Sequence, residues 1–424
     1  MGAIDWAYPS GMLWQPALAE AYLTAKPAEL AARITARRRE IGDALIILGH
    51  HYQTDDIVQH ADFTGDSLKL SQLAAEKVKE RGSKYVIFCG VHFMAETADL
   101  LTPTGTSVVL PDLSAGCSMA DMADYDDAVT AWKNLSESLA AQKVRARIIP
   151  VTYINSTAAI KAFVGSNGGV VCTSSNAKAI LEWALAGGTV PKKKNEIIKV
   201  LFLPDQHLGR NTAAKLGFDV SKDTALYDPR ATASGEPLGG SSPQQIKDAT
   251  VILWAGHCSV HKLFRPEHIR ALREAERDTP KAQRTHVIVH PECAKEVVDL
   301  ADDNGSTEYI INTIRSAPPG SKWAIGTETH LVNRLAREAA ARGVQARILS
   351  DCQCLCTTMF RIDPPHLLWV LDNLAAGKVV NRITVHPQAR EHALEAIERM
   401  LRLSKPMAAA AASHAGHAAV GSVD

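Results

Sequence analysis

With 424 residues and 46% apolar content, the chain can bury a large core, and its length argues for two or three domains. Lys+Arg and Asp+Glu stand at 46 each, so no overall field draws it to nucleic acid or to an anionic membrane. No apolar stretch is long enough to span a bilayer, and residues 1–16 lack a basic segment followed by an apolar one. A cytoplasmic location is therefore expected, where eight cysteines serve as ligands or catalytic groups rather than as a disulfide framework.

Residues 1–43 read as a helical extension, because Leu18, Ala21, Tyr22, Ala25, Leu30 and Ile34 recur at near-helical intervals. The basic run Arg37-Arg38-Arg39 that follows reads as a solvated helix face. From residue 44 short aliphatic runs alternate with amphipathic stretches, the pattern of strand-helix-strand units and parallel sheets. Strands are predicted at 44–48, 85–89, 107–110, 147–152, 169–172, 199–203, 250–254, 286–289, 323–325 and 346–349. Helices are predicted at 67–80, 177–186, 266–277, 329–342 and 365–375, several followed by a glycine suited to a left-handed cap: Gly82, Gly187, Gly343 and Gly377. The Gly/Ser/Pro-rich stretch 228–243 reads as a long surface loop, and the Ala/His/Gly/Ser-rich residues 406–424 as a disordered tail.

In open parallel sheets the ligand sits at the carboxyl ends of the strands, where loops diverge and helix N-termini present N–H groups. Polar residues recur there: His50 and Tyr52, Asp112 and Cys117, Tyr153 and Asn155, Thr173 and Ser174, Asp205, then His257, Cys258 and His261, His290 and Glu292, and Thr327 and Glu328. The last strand leads into Ser350-Asp351-Cys352-Gln353-Cys354-Leu355-Cys356-Thr357-Thr358-Met359, a thiol cluster suited to metal.

Taken singly, each residue has a plain reading beside the functional one. Cys117 can be a ligand or a buried thiol in a turn, and the Cys-x-x-His spacing of Cys258 and His261 can hold two ligands or one ligand and an acid/base. Cys89 and Cys172 sit in apolar runs and read as strand core, and Cys293 as structural. Glu292 can be a general base, with its pKa raised toward neutrality by a closed site, or a salt-bridge partner. Ser67, Ser306 and Thr307 open helices, as caps or as anion-binding groups, and Asp205 and Glu328 read as caps or ion-pair carboxylates.

Together the pieces resemble the quinolinate synthase family. His50-His51-Tyr52-Gln53, Gly65-Asp66-Ser67, Ser114-Ala115-Gly116-Cys117-Ser118-Met119-Ala120, Tyr153-Ile154-Asn155, Cys172-Thr173-Ser174, Cys258-Ser259-Val260-His261, His290-Pro291-Glu292, Gly305-Ser306-Thr307, Gly326-Thr327-Glu328-Thr329 and Cys356-Thr357-Thr358-Met359 occur in that family's order, over about residues 44–385.

The resemblance implies an α/β fold of three pseudo-symmetric three-layer αβα, Rossmann-like domains with small parallel sheets around a central 4Fe–4S site. The expected division is 44–116, completed by 357–405, then 117–248 and 249–356. It implies an enzyme of NAD biosynthesis that condenses iminoaspartate, supplied by an aspartate oxidase or dehydrogenase, with dihydroxyacetone phosphate to give quinolinate, phosphate and water. One 4Fe–4S cluster per chain, with an iron open to substrate, is implied on Cys117, Cys258 and Cys356. Substrate contacts carry over to His50, Ser67, Tyr153, Asn155, Ser174, His290, Glu292 and Thr307. Acid/base roles fall to Glu292, Tyr52, Tyr153 and His261.

Cys352 and Cys354 depart from the family pattern and leave two readings open, a regulatory disulfide or Cys354 ligating in place of Cys356. The rival reading is a non-catalytic thiolate-metal sensor holding iron-sulfur or zinc. The absence of Cys-x-x-Cys pairs tells against a zinc ribbon.

Overall fold

The computed structural model describes residues 15–351 and 354–418, with side chains followed through residue 404. Its strands are β1 Leu45–His50, β2 Phe63–Gly65, β3 Tyr85–Cys89, β4 Ser107–Val109, β5 Ala146–Tyr153, β6 Val170–Cys172, β7 Ile197–Leu203, β8 Thr224–Tyr227, β9 Val251–Trp254, β10 His286–Val289, β11 Asp303–Asn304, β12 Lys322–Gly326, β13 Gln345–Ile348 and β14 Arg382–Ile383. They form three sheets, ordered β14-β4-β3-β1-β2, β6-β5-β7-β9-β8 and β11-β10-β12-β13. Every pairing is parallel except that of β14 with β4. With helices interleaved along the chain, the fold is α/β with small parallel sheets.

Parallel strands are covered on both faces, so they read as unbroken apolar runs: all six residues of β1 are buried, as are all but the first of β7. That burial made the central strands legible. The four strands the sequence did not reveal, β2, β8, β11 and β14, each lie at a sheet edge and are two to four residues long. One side of an edge strand lacks a neighbour, and its hydrophobic signal weakens accordingly.

The three sheets share a core order. In each, the first strand has the second on one side and the third on the other: β2-β1-β3, β6-β5-β7 and β11-β10-β12. Beyond the third lies one more parallel strand, β4, β9 or β13. The chain therefore reverses its direction of travel across the first strand of every sheet, which opens a crevice at the carboxyl ends there.

Several expectations need correction. The strand at 250–254 belongs to the second sheet, not to a third unit beginning at 249, because β9 pairs with β7 and β8. The stretch 228–243 is a connection within that sheet rather than a border, and it holds a helix, Pro229–Ala233, capped by Asp228 with proline at its first position. Segment 357–405 is divided: β14 and the helix Pro364–Ala375 join the first sheet and its core, whereas the final helix packs on Ala158–Ser166 of the second unit. That final helix, Pro387–Ala418, runs through most of the expected tail, since the alanine run after Pro406 has the highest helix propensity of any composition. Arg37 and Arg38 are not merely solvated, for they bond Asp372 at 2.6 Å and Asp62 at 2.7 Å and tie the N-terminal helix to the first unit. Among the described residues no helix is long and apolar enough to cross a membrane.

The two crossing helices meet without a side chain between them. A Cβ on Gly165 would stand 1.9 Å from the His392 carbonyl oxygen. Alanine would favour the helix by about 1 kcal/mol, but a backbone carbonyl cannot yield as a flexible side chain does. Gly165→Ala is expected to destabilise by about 1–3 kcal/mol net in urea unfolding; unchanged or increased stability would contradict this crossing.

Candidate active site

The carboxyl ends of all three sheets open into one chamber. The ends of the first strands deliver His50 and Tyr52 after β1, Tyr153 and Asn155 after β5, and His290 and Glu292 after β10. The ends of the second strands deliver Ser67, Ser174 and Thr307, and the loops beyond β4, β9 and β13 deliver Cys117, Cys258 and Cys356. Every residue singled out from the sequence for catalysis, substrate or metal thus lines the same cavity.

The thiols share one environment. Burial pushes Cys117 up to about 12 and raises Cys258 and Cys356, and Cys117 and Cys356 raise Cys258 further by their mutual charge. Such a trio needs a cation in order to ionise, which is the chemistry of a metal-binding thiolate set. Cys354 is fully buried in the apolar cluster that also holds Cys293, away from the chamber wall, whereas Cys356 lies on that wall. Cys352 lies outside the described residues.

Glu292 is 2% exposed. Burial alone would raise its carboxyl, but the imidazoles of His261 and His290, with hydrogen bonds from His261 and Tyr153, outweigh that and hold it below the ordinary carboxylate range. The expectation of a pKa near neutrality therefore fails, because partners rather than desolvation decide it. His290 is driven by burial down to about 3, so at neutral pH the partner that holds Glu292 is His261.

A continuous hydrogen-bond chain follows. His261 Nδ1 donates to Glu292 Oε2 at 2.8 Å, its Nε2 lies 3.2 Å from Thr327 Oγ1, and Thr327 Oγ1 lies 3.0 Å from the Tyr52 hydroxyl. With Glu292 ionised, His261 Nδ1 is the donor to it, and Thr327 and Tyr52 continue the chain from the other ring nitrogen. Cys258 Sγ, a His261 nitrogen and a Glu292 oxygen lie within 4.8 Å of one another. Both ring nitrogens of His261 are already engaged within the protein.

His50 and His290 close the same small turn, each accepting at Nδ1 the N–H two residues on, from Tyr52 at 3.1 Å and Glu292 at 3.3 Å. Each therefore presents Nε2–H to the chamber as a neutral donor; burial also lowers His50 well below its usual value. Burial raises the phenols of Tyr52 and Tyr153, so both remain donors. Asp66 and Ser306 cap the helices Ser67–Arg81 and Thr307–Ser316, which leaves Ser67 and Thr307 as first-turn hydroxyls on the chamber wall. No lysine or arginine lines the chamber among the described residues. Anionic groups there meet neutral donors and helix N-termini instead.

Comparison with known proteins bears directly on this arrangement. The profile of the Quinolinate synthetase A protein family matches residues 32–402. The chain belongs to that family. It is 48% identical over 382 residues to the quinolinate synthase of Acidobacterium capsulatum, covering 90% of this chain and 95% of that one. It is 48% identical to that of Streptomyces coelicolor, covering 88% of each, and 50% identical to that of a Nocardioides species, covering 88% and 89%. The family match takes in every chamber residue named above.

Asp205 and Glu328 are helix caps, each accepting two backbone N–H bonds, as the plain reading had it. Cys89 and Cys172 are buried in β3 and β6. Thr327 was visible at a strand end but carried no role from sequence; only the fold sets it between Tyr52 and His261. Thr327→Val keeps the shape but leaves Nε2 of the buried His261 without its partner, while Tyr52 keeps Thr307 at 3.3 Å, with an expected loss of about 1–3 kcal/mol. Thr327→Ser should stay within about 1 kcal/mol of wild type. Equal unfolding midpoints for the two variants would contradict the chain.

Proposed function

We propose that this chamber condenses iminoaspartate with dihydroxyacetone phosphate to form quinolinate, phosphate and water, with a 4Fe–4S cluster held by Cys117, Cys258 and Cys356. The supporting observation is that three half-buried cysteines, one from the corresponding loop of each sheet, line one cavity beside an ionised Glu292. Bound by three thiolates, a 4Fe–4S cluster keeps one iron open and supplies a Lewis acid.

The remaining chemistry belongs to the protein. The His261–Glu292 pair acts as one proton acceptor, able to take a proton from carbon next to the imine or ketone, with Thr327 and Tyr52 holding the His261 ring in place behind it. Tyr153, kept protonated by burial and facing Glu292, returns a proton where a hydroxyl leaves. His50, Ser67, Asn155, Ser174, His290 and Thr307 supply the imidazole, hydroxyl and amide donors that two carboxylates and a phosphate require. Burial of His50, Ser67, His290 and Thr307 strengthens their contacts by excluding water. Iminoaspartate reaches the enzyme from an aspartate oxidase or dehydrogenase.

Anaerobically purified protein is expected to carry about four irons per chain. Cys117→Ala, Cys258→Ala and Cys356→Ala should each lose that iron, and Cys354→Ala should retain it. Iron loss from the Cys354 variant, or a colourless zinc protein, would overturn the ligand set. Glu292→Gln should keep its iron and lose about 100-fold or more in quinolinate formation; near wild-type turnover sinks the base assignment.

A further inference from the structure

The carboxylate of Glu292 matters only if it stays aimed, yet its loop carries no regular structure: it sits in the turn between β10 and the helix Lys295–Leu300. Two contacts within that turn restrain it, the Glu292 N–H to His290 Nδ1 at 3.3 Å and the Cys293 N–H to the His290 carbonyl at 3.0 Å. The carbonyls on either side of Glu292 point elsewhere. Pro291 O and Cys293 O both accept from the Asn211 side-chain amide, each at 2.9 Å.

Asn211 lies in the helix Gln206–Lys215, which follows β7 in the second unit, and is 2% exposed. Its orientation is unambiguous, because only the NH2 end of an amide can serve two carbonyls. Its Oδ1 is buried with no protein partner. An unsatisfied buried acceptor is costly, so the residue is poorly suited to a plain packing role that leucine could fill.

We propose that Asn211 is a positioning residue for Glu292. Reaching across from the second unit, it fixes the backbone on both sides of the carboxylate and so sets the 2.8 Å contact with His261. Misplacement of a reacting group by about 1 Å can cost on the order of 100-fold in rate, although Asn211 lies outside the chamber lining and touches no substrate.

This inference rests on the base reading of Glu292, and two variants separate the two. Asn211→Leu removes both donors at similar volume. Asn211→Asp keeps the shape, but its carboxylate repels the two carbonyls and, when protonated, offers a single donor. Both variants should retain iron and lose roughly 10-fold or more in kcat, with KM for each substrate within about twofold. For Asn211→Asp, kcat relative to wild type should recover as pH falls and its new carboxyl protonates, a trend that Asn211→Leu lacks. Hydrogen exchange in the 290–294 turn should accelerate in both, with the 50–53 turn unchanged.

If Asn211→Leu keeps kcat per iron within about twofold of wild type, the positioning role is overturned. A kcat loss matched by loss of iron and by a general rise in exchange also overturns it, since that is a purely structural effect. Activity of Glu292→Gln reports on the base reading alone, and exchange in the 290–294 turn reports on the clamp alone.

Discussion

A parallel sheet offers functional loops at one end only, and that constraint organises this molecule. Each of the three sheets repeats the same order around its first strand, so each opens its crevice at an equivalent place. Because the three crevices share one cavity, a single chain supplies three versions of the same position: His50, Tyr153 and His290 at the first-strand ends, and Tyr52, Asn155 and Glu292 two residues later. The three cysteines follow the same logic two strands further out. Residues some 240 positions apart become neighbours through a local rule applied three times.

Burial then gives these residues their chemistry. Imidazoles are held neutral and phenols protonated because a charge would be poorly solvated there. Glu292 escapes the same pressure through His261 and the Tyr153 hydroxyl, and the chain from Tyr52 to Glu292 joins the first unit to the third. A chamber with no lysine or arginine among its described lining residues can recognise anions with fixed dipoles and leave the strongest positive charge to a metal.

The units also hold one another's loops. Asn211 of the second unit bonds the Glu292 turn, and Arg334, on a helix of the third, donates to the carbonyls of His51 and Gln53 beside Tyr52. Helix Pro387–Ala418 fastens the end of the chain to the second unit, with Arg390 paired to the buried Asp99 beneath the first sheet. These contacts cross the domain division that the family resemblance implied. A border is a property of which strands pair: β9 pairs back with β7 and β8, and β14 with β4 far up the chain.

The sequence by itself determined ten of the fourteen described strands, the main helices and the family, because continuous apolar runs, glycine caps and motif order are local signals. It also singled out the chamber residues, since strand ends concentrate the polar groups. Only the tertiary structure decided which thiol of the Cys354–Cys356 pair faces the chamber, that Glu292 is ionised rather than near neutrality, and that Thr327 and Asn211 matter at all. In each case the deciding quantity is a contact or a burial between segments distant in the chain, and neither spacing nor composition encodes it.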